Sequence, residues 1–185
     1  MSINTFSPER IFLIGLPGVG KTTLGRALAE ELGWLFADLD AEIERAAGRS
    51  VGALFEEEGE EFFRRQEAAV LRQVGRAVPL VLATGGGTPC FHDSLDWLLA
   101  HGAVVWLDVE PAIIVGRLLT PMALPVGSRP LLAAAAAASP QATAKALLGL
   151  LTQTLAAREV YYTRAPHRLA GPDLAVGPLR ALLGR

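Results

Sequence analysis

Arg10-Ile11-Phe12-Leu13-Ile14-Gly15-Leu16-Pro17-Gly18-Val19-Gly20-Lys21-Thr22 is the stretch whose reading decides the fold. Its first half is a short apolar run ending in glycine. Near-continuous apolarity predicts a strand buried in a parallel sheet that is covered on both faces. Its second half fits G-x-x-x-x-G-K-[ST] in full. In a chain of this composition, chance would supply roughly 0.002 such matches. Glycines let backbone N–H groups turn inward around an anion, and the helix that follows aims its positive end at the same point. The expected nucleotide-phosphate-binding set is Gly18, Val19, Gly20, Lys21, Thr22 and Thr23. Lys21 is expected on the β- and γ-phosphates and the Thr22 hydroxyl on Mg²⁺. Only two of the 17 basic residues are lysines, and one of them is Lys21.

Working outward, residues 21–33 read as a helix, with Leu24, Leu28 and Leu32 at four-residue spacing and Gly33 as its stop. Trp34–Asp38 is a second strand, and 40–75 is mostly helical with breaks near Gly48-Arg49-Ser50 and at Gly59. Val78–Ala83 is a third strand feeding Thr84-Gly85-Gly86-Gly87, with a helix around 92–100 after it. Ala103–Asp108 is a fourth strand and 111–119 a helix. Residues 120–128 are rich in breakers and read as a loop. Six alanines, 133–138, precede Ser139-Pro140, which opens a long helix to about Tyr162. A last weak strand is expected near 173–176 and a short helix after Pro178. Strands alternating with helices predict a three-layer α/β sandwich with a mostly parallel sheet. No repeat or linker divides the chain, so 1–185 reads as one domain.

Composition narrows the function. The net charge of −2 argues against a general nucleic-acid binder, and 51% hydrophobic residues exclude a disordered chain. A single cysteine, Cys90, leaves no intramolecular disulfide and fits a reducing compartment. His92, His101 and His167 are scattered, without metal-ligand spacing. No signal-peptide pattern opens the chain, and no apolar run reaches the ~20 residues of a membrane span. A cytoplasmic, membrane-free protein is expected.

Other residues gain meaning from the phosphate loop. Asp38-Leu39-Asp40 closes the second strand, and in extended chain both carboxylates would project from the ligand-binding edge of the sheet. One could hold Mg²⁺ through water and the other orient an attacking hydroxyl; alternatively, Asp40 only caps the next helix. The triple glycine is either a flexible turn or a close approach to a ligand. Arg64, in Gly59-Glu60-Glu61-Phe62-Phe63-Arg64-Arg65-Gln66-Glu67, reads equally as one partner of a solvated Arg64–Glu67 pair. Arg129 and Arg158 are uninformative singly, and Cys90, Trp34, Trp97 and Trp106 are expected in or near the core.

In this order, the blocks resemble shikimate kinase. The phosphate loop Gly15–Thr22, Asp38-Leu39-Asp40, the Gly59–Glu67 block, Thr84-Gly85-Gly86-Gly87, Arg129-Pro130-Leu131-Leu132 and Arg158-Glu159-Val160-Tyr161-Tyr162 carry the likeness over about 10–165. The resemblance implies a nucleoside-monophosphate-kinase-like fold with a five-stranded parallel sheet. It implies ATP-dependent phosphorylation of the shikimate 3-hydroxyl on the way to chorismate and the aromatic amino acids. Carried over by position, Lys21, Asp40 and Arg129 are the catalytic set. Thr22 and, through water, Asp38 hold the metal. Asp40, Arg64, Gly86, Gly87 and Arg158 bind the acceptor. Arg117 matches the adenine-stacking arginine, and Arg129 belongs to a mobile lid over about 119–132. The acceptor-binding segment is about 40–75, the partners are ATP and shikimate, and the protein is expected to be a monomer. The chain departs from the pattern at Glu159-Val160-Tyr161, where many relatives have a proline before the tyrosine, and at Ala170-Gly171-Pro172-Asp173, which lacks an adenine-pocket arginine. A gluconate-type or other small-metabolite kinase, or a non-catalytic ligand-binding regulator, is the competing expectation on the same fold.

Overall fold

Five strands form one sheet in the order β2-β3-β1-β4-β5, every pair parallel. The computed structural model describes residues 9–120 and 139–185. The strands are β1 (Arg10–Ile14), β2 (Leu35–Asp38), β3 (Leu80–Ala83), β4 (Ala103–Asp108) and β5 (His167–Ala170). The helices are α1 (Lys21–Leu32), α2 (Leu39–Ala47), α3 (Val51–Val74), α4 (Ser94–His101), α5 (Pro111–Leu118), α6 (Pro140–Tyr162) and α7 (Val176–Leu182), with a 3₁₀ turn at Thr88–Cys90.

β1 is the centre of the sheet, and Ile11 to Ile14 are fully buried. Its side chains alternate between the two helical layers. Phe12 meets Trp97 of α4 with ring centroids 5.9 Å apart. Leu13 faces α1, which comes so close that a Cβ on Gly25 would lie 3.0 Å from it and 2.9 Å from Phe36. This two-sided cover explains the unbroken apolar run. Because β3 and β4 flank β1, the chain leaves β1 at the point where strand order reverses. Ligands of open α/β sheets bind outside the carboxyl ends of the strands at that point.

Both anticipated breaks in 40–75 are present. α2 stops at Gly48 (φ 66°), and α3 is interrupted at Gly59 (φ 82°, ψ 170°). Ser50 caps α3 by accepting from the Ala53 amide, and Ser139 caps α6 by accepting from that of Ala142.

Three expectations need correction. No strand forms at 173–176. The fifth strand is His167–Ala170, paired from Val105↔His167 to Asp108↔Ala170. It is a short edge strand of alternating half-buried and exposed residues, so it carries no apolar run to read. Arg168 fastens it instead, with Nε 2.8 Å from Asp108 Oδ2 and the guanidinium 4.9 Å from the centre of the Trp106 ring. The terminal helix begins at Val176, so Pro178 lies inside its first turn rather than before it. Finally, Asp38 and Asp40 do not share one extended strand. β2 ends at Asp38, which caps α2 by accepting the Asp40 amide at 3.1 Å, and Asp40 lies in the first helical turn. The cap is thus Asp38, not Asp40. Of the lid segment, Leu119 and Thr120 follow α5; its remainder, with Arg129 and the alanine tract, lies outside the described residues.

Candidate active site

The turn after β1 wraps around a recess at the sheet's carboxyl edge. Gly15 has φ 138°, and a Cβ there would sit 2.6 Å from the Leu107 carbonyl oxygen, so only glycine fits. Lys21 is 9% exposed, and its Nζ donates to the carbonyls of Gly15 (2.8 Å) and Leu16 (2.9 Å). That places the ammonium within the loop rather than in solvent. α1 starts at Lys21, so its unpaired N–H groups open onto the same recess.

A cleft of about 350 Å³ lies in front of this loop. Lys21, Thr22, Asp38, Asp40, Gly86 and Arg117 are among its walls. Thr22 Oγ1 donates to Asp38 Oδ2 at 2.6 Å. A hydroxyl and a carboxylate in contact beside a phosphate loop are hard oxygen donors of the kind Mg²⁺ takes, with water and phosphate completing its shell. Among the described residues no group of three or more His, Cys, Asp or Glu could hold a metal ion by itself. The Thr22–Asp38 oxygen pair fits Mg²⁺ whose remaining ligands are water and phosphate.

Asp40 opens to solvent on the cleft side and is walled by protein elsewhere. Burial pushes its carboxyl up to about 6, with the Asp38 and Glu67 charges adding to the rise and Lys21 opposing it. At neutral pH it is ionised, yet more basic than an ordinary aspartate.

Beside the phosphate loop, the triple glycine after β3 lines the same cleft, and α3 packs its Arg64 and Glu67 against that turn. Arg64 is buried, against the reading of a solvated helix face. Its Nη1 donates to Glu67 Oε2 at 2.8 Å, and Nε and Nη2 reach the exposed Glu60 Oε1 at 3.2 and 3.1 Å. Glu67, 2% exposed, also accepts from Thr88 Oγ1 at 2.6 Å. Each glycine of the turn lets a different side chain come close. A Cβ at Gly85 would lie 2.9 Å from Glu67 Oε1, at Gly86 3.2 Å from Arg158 Nη1, and at Gly87 2.7 Å from Arg64 Nη2. The turn is therefore a close approach, not a flexible linker. Tyr162 on α6, one helical turn beyond Arg158, is fully buried and donates its hydroxyl to the Gly86 carbonyl at 2.5 Å. Burial pushes the Tyr162 hydroxyl up to about 12, so it remains a donor across the working pH range.

The expected residues thus fall into two groups at one sheet edge. Lys21, Thr22, Thr23, Asp38, Asp40 and Gly86 line the cleft, and Arg64 and Arg158 stand against the glycine turn, beside Gly87 and Gly86. Arg117 is at the other end of the loop, where it donates to the carbonyls of Val19 (3.4 Å) and Pro172. There it borders a further cleft of about 450 Å³ that Leu174, Ala175 and Val176 also line. Sequence reasoning missed Glu67, Thr88 and Tyr162 as members of the site, and the Leu174–Val176 wall. Glu67 had one readable signal, its place on the apolar stripe of Phe63, Val70 and Leu71.

An all-parallel sheet with a phosphate loop at its reversal point and a second, arginine-bearing half beside it defines a P-loop kinase of small molecules. The family model described as shikimate kinase matches residues 17–169. A curated shikimate kinase from Phocaeicola vulgatus is 39% identical over 165 residues, covering 89% of this chain and 88% of its own. One from Symbiobacterium thermophilum is 40% identical over 157 residues, 85% of this chain and 83% of its own. The crystal structure of a Bacteroides thetaiotaomicron shikimate kinase superposes with a TM-score of 0.83 at 34% identity, covering 95% of this chain and 98% of that one. An Acinetobacter baumannii shikimate kinase in complex with shikimate gives 0.79 at 32% identity, covering 95% and 93%. The chain belongs to the shikimate kinase family. That membership favours a shikimate kinase over the gluconate-type kinase and the non-catalytic regulator.

Proposed function

We infer that this protein transfers the γ-phosphoryl group of ATP to the 3-hydroxyl of shikimate, in the route to chorismate and the aromatic amino acids. The carrying observation is that Arg64 and Arg158 both stand against the triple glycine, whose Gly85 and Gly86 line the same cleft as Lys21 and Thr22. Two arginines beside close-approaching backbone suit an acceptor with one carboxylate and several hydroxyls.

Phosphoryl transfer asks the protein mainly for positioning and charge neutralisation. The loop amides and Lys21 hold the β- and γ-phosphates, with Gly18 to Thr23 around them. Thr22 and, through water, Asp38 would hold Mg²⁺, which neutralises phosphate oxygens when bound. Arg64 and Arg158 grip the acceptor carboxylate, and the Gly86 and Gly87 amides meet its hydroxyls. Asp40 accepts the hydrogen bond of the attacking hydroxyl and orients its oxygen at the γ-phosphorus. The new O–P bond forms as the bond to the ADP oxygen breaks, and the hydroxyl proton passes to Asp40 and from there to solvent. Arg117 and the Leu174–Val176 wall flank the adenine. Arg129 and the 119–132 segment act as the lid that excludes water, and 40–75 is the acceptor-binding segment of a single 1–185 domain.

No helix among the described residues is long and apolar enough to cross a membrane, and the reading includes a cytoplasmic location. Initial rates of ADP release with ATP and Mg²⁺ test the reading. Release should depend on shikimate and give one shikimate phosphate per ADP, with gluconate a poor substitute. Equal release without shikimate, or with gluconate in its place, would overturn it.

A further inference from the structure

The turn that follows the triple glycine reaches the acceptor arginine in two ways, through Glu67 and directly by an aromatic ring. Thr88 Oγ1 donates to Glu67 Oε1, while Glu67 Oε2 receives Arg64 Nη1. Thr88 and Glu67 are both buried, so neither carboxylate oxygen is left to water. The Phe91 ring lies 4.4 Å from the Arg64 guanidinium carbon. It is nearer than Phe63 at 5.2 Å or Phe55 at 5.7 Å. A guanidinium prefers the face of an aromatic ring, and the contact strengthens as water is removed.

The turn itself is held firmly. The Thr88 amide donates to the Gly85 carbonyl (3.2 Å) and the Cys90 amide to that of Gly87 (2.9 Å). Its exit runs through His92 (φ 49°) and Asp93 (φ 56°), two non-glycine residues in the left-handed region. That costly conformation persists only where the surroundings impose it. Arg72 on α3 reaches over to the His92 carbonyl at 2.7 Å. A rigid turn carrying a hydroxyl and a ring is therefore docked against one flexible arginine.

We propose that the Thr88–Phe91 turn is a positioning element for Arg64, with Thr88 acting through Glu67 and Phe91 through its ring face. An arginine side chain loses much rotamer freedom when it clamps a ligand. The turn fixes the guanidinium plane before the acceptor arrives, so that cost is met on folding. The inference rests on the assignment of Arg64 to the acceptor carboxylate.

The test is a double-mutant cycle on the full chain, read as KM for shikimate, KM for ATP and kcat. Phe91→Leu should raise KM for shikimate about three- to thirtyfold, with KM for ATP within about twofold. Thr88→Val should raise it about tenfold, because Glu67 loses a buried donor. Phe91→Tyr and Thr88→Ser keep the ring and the hydroxyl and should restore near-normal values. In an Arg64→Ala background, Phe91→Leu should change kcat/KM for shikimate by less than about twofold, since the residue it positions is gone. Full additivity with Arg64→Ala, or an equal rise in KM for both substrates, would overturn the proposal. If Phe91→Leu fails to fold, the Thr88→Val and Thr88→Ser pair carries the same comparison. An Arg64→Ala enzyme with normal kcat/KM for shikimate would instead remove the acceptor assignment, a separate failure.

Discussion

Asp40 shows how one residue trades stability for chemistry. Its carboxyl is raised to about 6 against an ordinary 3.8, chiefly by burial. The folded protein therefore holds the Asp40 proton more tightly than the unfolded chain does. That contribution to stability is full below about 3.8 and is lost as pH rises through 6. At neutral pH the charge is a liability to the fold, which the proposed role of orienting the attacking hydroxyl would account for. Asp40→Asn should lower turnover by at least ~100-fold. It should also stabilise the nucleotide- and metal-free protein at pH 7.5, by about 1 kcal/mol or less because the cleft side is open to water. Urea melts at several pH values check this: the gain should shrink below pH 6 and vanish near pH 4. A constant gain at all pH values would detach it from this carboxylate. The residues that could be read from sequence alone are those whose chemistry is local. Lys21 and Thr22 sit in a motif whose spacing is the mechanism. Glu67 and Thr88 meet only after folding, 21 positions apart, and a glutamate in so charged a stretch looks solvated.

Among the elements, α3 is the informative case. Glu56, Glu57, Glu58, Glu60 and Glu61 surround Gly59, and a continuous helix would stack these like charges at three- and four-residue spacing. The chain breaks at Gly59 instead, and Arg49 bonds Glu57 (2.6 Å) and Glu58 (3.3 Å) from the end of the preceding turn. The second half of α3 is thereby set to carry Arg64 and Glu67 towards the triple glycine. A Cβ at Gly59 meets nothing within 4 Å, so Gly59→Ala isolates the backbone term at φ 82°. It should cost about 1–2 kcal/mol, or several degrees in Tm by thermal melting. An unchanged Tm would mean the break is not imposed by the backbone. This break was legible because glycine among glutamates is a local signal. β5 was not, because a polar edge strand held by Arg168 and Asp108 depends on partners 60 residues apart.

Across the whole molecule, the sheet order places the two halves of the proposed site at one edge. Order 2-3-1-4-5 brings the phosphate loop after β1 beside the triple glycine after β3, and α6 closes the acceptor side with Arg158 and Tyr162. The alternating pattern predicted the layers, but periodicity alone could not say which helix would bring Arg158 to the glycine turn. Lys21→Ala should lower kcat by at least ~100-fold with folding intact by circular dichroism, because it removes the loop's cation from the transferring phosphoryl group. Turnover near normal would remove the donor half of the site. The most direct measurement of the two-sided arrangement is the steady-state kinetics of Arg64→Ala with both substrates varied. Losing a desolvated partner of the acceptor carboxylate should lower kcat/KM for shikimate by roughly 30- to several-thousand-fold, while KM for ATP stays within about twofold. A wild-type kcat/KM for shikimate in that variant would contradict the account.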